Sequence, residues 1–219
     1  GWGEAQSPVA PEVVCTILET ILAPILVGEN PMAHERLWSR MYNAMRVRGH
    51  LGSFLLDAIA GIDTALWDIK GKAANLPVSR LLGGPCRERL PLYISGLRGT
   101  TLEERATMAK KFYDEGYAAI KLYIGRGVEA DFAQVSSLRD AIGEDKRLLT
   151  DAQWRYTPAE AERVGRGLEK LGVEWFETPV LPENVKGQAR LAAALQIPIT
   201  GGESMRTRFE FREWFEQGA

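Results

Sequence analysis

The spacing of apolar residues changes character near residue 89. Before it, apolar positions recur at helical intervals. Val13, Val14, Ile17, Leu18 and Ile21 predict a first helix, opened by Ser7 and Pro8 and bent or ended by Pro24. Asn30 is expected to cap a second helix, whose wide apolar face carries Leu37, Trp38, Met41, Tyr42 and Met45. The glycine-flanked, basic stretch 46–52 follows, and with His50 it reads equally as a loop reaching a ligand or as a solvated connection. The strongest helix runs from Ser53 to about Ala74. Phe54, Leu55, Ala58, Ile59, Ile62, Ala65, Leu66 and Ile69 make its face wide enough to bury against two partners. Gly61 in its middle costs about 1 kcal/mol against Ala, which predicts close contact with another backbone.

From residue 90 onward, short β-rich runs alternate with amphipathic helices. Strands are predicted over 90–95, 118–124, 147–151, 173–177 and 198–202, with helices near 102–115, 128–142, 158–171, 183–195 and 206–217. Thr100 or Thr101 with Glu104, and Thr157 with Pro158 and Glu160, read as capped helix starts. Five successive βα units with short loops imply an α/β fold with a parallel sheet, either doubly wound or a (β/α) barrel. Three acids end successive strands: Asp151, Glu177 and Glu203, each 26 residues from the next. That regular step favours a partial TIM-type barrel over 90–219, preceded by a mostly helical unit over 1–89. Five units do not close an eight-stranded barrel, and both ends of the sequence read as cut.

Composition narrows the function without naming it. The 219 residues are 45% hydrophobic and 26% charged, as in an ordinary globular chain. A formal net charge of −2 gives no basic footprint for nucleic acid, and no apolar run approaches the ~20 residues of a membrane span. Cys15 and Cys86 lack metal spacing and read as small buried hydrophobes, which fits a cytoplasmic location. Two histidines, His34 and His50, are too few and too far apart for a zinc site.

The chemistry lies with the acids. Three carboxylates on neighbouring strand ends repel one another unless a cation sits among them, and oxygen-only ligands suit Mg²⁺. Taken singly, each is as well explained as a helix cap or surface charge; taken in register, they are not. Lys121 and Tyr123 lie two apart on the second strand, so both face one side of it. Gln153, two residues past Asp151, is expected to share that acid's face and bind a ligand. A glycosidase using Glu177 and Glu203 is an alternative that leaves Asp151 and Lys121 unexplained.

An ordered set of motifs adds to this reading. They are Gly61-Ile62-Asp63-Thr64-Ala65-Leu66-Trp67-Asp68-Ile69-Lys70-Gly71-Lys72, Leu81-Leu82-Gly83-Gly84 and Ile120-Lys121-Leu122-Tyr123-Ile124-Gly125, then Asp151-Ala152-Gln153, Phe176-Glu177-Thr178-Pro179 and Gly202-Glu203-Ser204. With them the chain resembles the mandelate racemase and muconate lactonizing enzyme branch of the enolase superfamily, over nearly its whole length. The resemblance implies a modified (β/α)7β barrel behind a capping domain, with about five βα units present here. Asp151, Glu177 and Glu203 would bind Mg²⁺, and Lys121, Gln153 and His50 would contact a small carboxylate such as a sugar acid. Proton abstraction beside that carboxylate would then give an enediolate.

Two departures bear on the chemistry. The second lysine of the family's Lys-x-Lys motif is Tyr123 here, and a phenol with a pKa near ~10 is a poor base at neutral pH. Thr178 stands where many relatives carry a second Glu. One-base chemistry suits elimination, so a sugar-acid dehydratase is the first expectation, with Tyr123 as donor or acid and the base on later strands. A racemase, epimerase or cycloisomerase is the alternative, and a metal-binding homologue without catalysis a third. A homo-oligomer is expected.

Overall fold

In the computed structural model, which describes residues Gly1 to Ala219, the change of periodicity becomes a division into two units, Gly1–Glu88 and Arg89–Ala219. The first holds α1 (Pro11–Ile17), α2 (Ala23–Leu26), α3 (His34–Asn43), α4 (Phe54–Ala74) and α5 (Val78–Leu81). Proline placement shapes its start. The helix begins at Pro11 rather than Ser7, because a proline at the first helical position gives up no hydrogen bond, and Ala10 before it is left-handed at φ 52°. Pro24 has no N–H to donate back to Thr20, and the ladder widens into a π-turn over Leu18–Leu22 just before it. Asn30 closes a turn, accepting from the Met32 N–H at 2.9 Å, and α3 starts later, after Ala33.

Val14, Leu22, Met41, Leu55, Leu56, Ala58 and Ile59 form the core of this unit. Gly61 does meet another backbone: a Cβ there would lie 3.1 Å from the Ala5 Cβ and 3.2 Å from the Ala5 nitrogen. The segment is tied down further along by the Trp2 N–H, which donates to Asp68 at 2.7 Å. Cys15 and Cys86 are exposed, contrary to the expectation of burial. Val14 and Leu22 take the buried face of their helix, and Cys15, one residue round from Val14, is turned out of it.

The second unit alternates β1 (Tyr93–Ser95), α6 (Leu102–Asp114), β2 (Ala119–Tyr123), α7 (Val128–Ile142), β3 (Arg147–Asp151), α8 (Pro158–Lys170), β4 (Val173–Glu177), α9 (Val185–Ala194), β5 (Ile199–Thr200) and α10 (Arg208–Gln217). All pairings are parallel, in the order β1-β2-β3-β4-β5. Capping boxes start α6 at Thr101/Glu104, α8 at Thr157/Glu160 and α10 at Thr207/Glu210. The helix-facing side of the sheet is apolar. Ile120, Leu122, Leu148 and Phe176 are buried there against Val135, Leu138, Val164, Leu168 and Leu191, each side chain contributing about 1.5–3 kcal/mol.

The other side curls in on itself. Tyr93 on β1 and Trp175 on β4 meet edge-on at 5.7 Å although two strands stand between them. At the N-terminal ends of the strands, buried Arg139 fastens two connections, the one from α7 to β3 and the one from α8 to β4. Its guanidinium donates to the carbonyls of Gly143, Lys146, Leu171 and Gly172 at 2.7–3.0 Å.

Candidate functional site

The strand register sets Tyr123, Asp151, Glu177 and Thr200 side by side across the C-terminal ends of β2 to β5. Lys121, one pleat below Tyr123, is 6% exposed. Its ammonium lies 2.9 Å from Glu177 Oε2 and 3.2 Å from Asp151 Oδ2. Burial works against that charge, but the hydrogen bond to Glu177 and the charges of Glu177 and Asp151 outweigh it and raise the pKa well above that of an ordinary lysine. The Lys121 ammonium is thus paired with two carboxylates at once.

Asp151 is held at both oxygens. Oδ1 accepts from the Gln153 backbone N–H at 3.0 Å and from the Thr178 hydroxyl at 2.9 Å, and Oδ2 faces Lys121. Tyr123 is 41% exposed, with its hydroxyl 2.9 Å from Ser95 Oγ and its ring centre 5.7 Å from the Lys121 ammonium. Behind it, the Tyr123 carbonyl accepts from Gln134, which in turn accepts from Arg105 at 2.7 Å. Asp131 gathers the loop after β2. Its Oδ2 accepts from the N–H groups of Gly125, Arg126 and Gly127 at 2.8–3.0 Å and from the Tyr156 hydroxyl at 2.6 Å.

Glu203 sits on the loop after β5 and is exposed. Desolvation, and then repulsion from Asp151 and Glu177, push its carboxyl above the usual range. The loop needs glycine: Gly202 has φ 102°, and a Cβ on it would lie 2.6 Å from the Phe211 ring of α10. A cavity of about 270 Å³ lined by Trp175, Glu177, Thr200, Gly201 and Glu203 opens beside the acids. Trp175 Nε1 and Thr200 Oγ1, both on its wall, are buried without a partner.

Lys121, Asp151 and Glu177 are thus brought into direct contact, with Tyr123 on the same side and Glu203 within their field. Gln153 departs from expectation. The strand ends at Asp151, Gln153 is left-handed at φ 51° and exposed, and strand alternation no longer governs its side chain; its backbone N–H is what serves Asp151. His50 is an exposed residue of the first unit. Trp175, Thr200 and Ser95 were not anticipated, although Trp175 and Glu177 share a strand face by simple alternation.

No group of three or more His, Cys, Asp or Glu is drawn together to hold a metal ion; Asp151 and Glu177 are instead bound to Lys121. The donor chemistry still fits a hard divalent cation. Asp151, Glu177 and Glu203 offer only oxygen, the donor set such a cation takes. No helix is long and apolar enough to cross a membrane.

Residues 1–83 match the family described as mandelate racemase / muconate lactonizing enzyme, N-terminal domain, and residues 104–219 match the one described as enolase C-terminal domain-like. The chain is 37% identical to D-galactarolactone cycloisomerase of Agrobacterium fabrum, over 100% of its own length and 58% of the relative's. It is 38% identical to arabinonate dehydratase of Saccharolobus solfataricus, over 97% of its own length and 58% of the relative's. Among solved structures it is similar to a racemase from Streptomyces coelicolor A3(2) with bound magnesium, with a TM-score of 0.89 and 29% identity over 96% of this chain and 59% of that one. The chain therefore spans somewhat over half the length of these relatives.

Proposed function

We propose a function for a chain that belongs to the mandelate racemase and muconate lactonizing enzyme branch of the enolase superfamily: it carries the cation-binding rim of a lyase that dehydrates a sugar acid. The observation that carries this reading is the buried Lys121 ammonium, fixed between Asp151 and Glu177 with Tyr123 beside it. A positive charge at that point suits a substrate carboxylate and the negative charge that grows on it as the neighbouring C–H proton leaves. Asp151, Glu177 and Glu203 are the groups that would hold Mg²⁺. That ion, when bound, would supply Lewis-acid stabilisation of the same developing charge.

Tyr123 is assigned as acid rather than base. Its hydroxyl lies 2.9 Å from Ser95 Oγ, which is no general base, so no group in contact with it would take its proton and free it to act as a base. It would donate its proton to the departing β-hydroxyl, which leaves as water. The proton taken from carbon goes to a base outside this set of residues. Gln153, exposed two residues past Asp151, is a further candidate for contact with substrate. The likeness to a cycloisomerase supports a second reading, an isomerase working through the same proton abstraction.

The test incubates the whole protein and its Tyr123→Phe variant with Mg²⁺ and aldonates in deuterated water. Wild type should yield a product lighter by one water. The variant should lose that product while still exchanging the proton next to the carboxylate. Loss of exchange and turnover together would make Tyr123 the base and remove the dehydratase assignment. A product that keeps every atom of the substrate apart from solvent deuterium taken up at carbon would favour the isomerase.

A further inference from the structure

Resting on the reading of Asp151 as a cation ligand, we propose that Thr178 is the positioning residue that aims it. The Thr178 hydroxyl holds Oδ1, so that Oδ2 alone is presented to the centre of the rim. Thr178 is 2% exposed, and its hydroxyl hydrogen bond to Asp151 is 2.9 Å. The Gln153 N–H approaches the same oxygen at 3.0 Å. Two donors on one oxygen fix the carboxylate about its side-chain torsion. The other oxygen then points at Lys121, 3.2 Å away and hydrogen-bonded also to Glu177.

The backbone around Asp151 gives an independent reason. Six residues other than glycine have positive φ, and three of them surround this carboxylate: Gln153 at 51°, Trp154 at 60° and Thr178 at 44°. A β-branched residue is among the least suited to that conformation, where glycine or asparagine is far cheaper. Thr178 is nevertheless locked there, its N–H donating to the Thr200 carbonyl at 2.8 Å and its carbonyl accepting from Trp154 at 2.7 Å. Those two backbone bonds need no side chain at all. What glycine would not supply is the hydroxyl, and the hydroxyl goes to Asp151. Strain of this kind collects where geometry serves function.

The experiment titrates Mg²⁺ calorimetrically into the whole protein and into Thr178→Val, Thr178→Ser, Thr178→Gly and Glu203→Gln, with thermal unfolding of each. Val keeps the shape and removes the donor, so affinity should fall about 10- to 100-fold, the effect of losing a partner that orients a metal ligand. Ser keeps the donor and should stay within a few-fold of wild type. Gly should bind as weakly as Val while melting no lower than it, since relief of strain accompanies loss of the hydroxyl. Wild-type affinity in Thr178→Val, alongside weakened binding in Glu203→Gln, would overturn the positioning role and leave the cation site standing. Wild type that binds no Mg²⁺ would overturn both.

Discussion

Replacing Tyr156 by Phe removes one buried hydroxyl while leaving its ring, 6.1 Å from Phe176, in place. Burial first, and then the hydrogen bond to Asp131, raise the Tyr156 pKa, so the phenol is a neutral donor to a carboxylate across the accessible pH range. A hydrogen bond to a charged group is worth about 1.5–3 kcal/mol. Asp131 keeps three backbone donors on the same oxygen when the phenol is gone, and is not left orphaned. The cost should therefore sit low in that range, about 2 kcal/mol. Asp131→Ala strips the acceptor from all four donors and should cost about 3–5 kcal/mol, as when one member of a buried charged set is deleted.

The informative measurement is the double variant, followed by guanidinium unfolding of the whole protein. With Asp131 already gone, the hydroxyl has lost its acceptor, so adding Tyr156→Phe should cost close to nothing. The coupling between the two sites should then be about 2 kcal/mol, with an unchanged dependence on denaturant. If the hydroxyl costs the same with or without Asp131, the 2.6 Å contact carries no stability, and its role as the anchor of the loop after β2 is refuted.

Two further outcomes follow from the same geometry. Arg139→Lys replaces a fork that reaches four carbonyls with a single point charge, and should lower stability by about 2–4 kcal/mol in thermal or denaturant unfolding while leaving Mg²⁺ affinity unchanged; a neutral substitution would contradict it. Glu104 is held below its ordinary 4.5 by the Thr100 hydroxyl and the Thr100 and Thr101 N–H groups, and Glu160 by the N–H and hydroxyl of Thr157. Because the folded values are lowered, these caps stabilise α6 and α8 above pH 4.5 and are lost as pH falls through the lowered values. Carboxyl carbon NMR titration should place both midpoints below 4.5, and a midpoint at or above it would count against the caps.

Much of the second unit was legible because its signals are local or strictly periodic. The strand ending in Asp151 and the one ending in Glu177 occupy their predicted residues, and Thr101/Glu104 and Thr157/Glu160 form the boxes that their spacing announces. Thr207 and Glu210 have the same spacing and were readable in the same way. The exposure of Cys15, against expectation, follows from the helical period that buries Val14 instead. Other features lay beyond sequence. Gln153, Trp154 and Thr178 carry side chains that disfavour positive φ, so nothing local marks the bend that turns Gln153 away. Asp131 looks like any acid near a helix start until the chain folds back and three loop amides converge on it. The contact of Lys121 with both Asp151 and Glu177 depends on strand register, which the 26-residue step implies but does not measure.

The meeting of Tyr93 and Trp175 has a mechanical side. Each ring lies two residues below a group at the rim, Tyr93 beneath Ser95 and Trp175 beneath Glu177. The pair therefore acts as a spacer under the mouth, with the two strands as arms that lean in or out according to how thick the spacer is. A smaller residue at either position would let the arms tilt together and narrow the gap between the serine that meets Tyr123 and the carboxylate that meets Lys121. The spacing of the rim would thus be governed in part from two residues below it, by an aromatic contact between strands that do not pair.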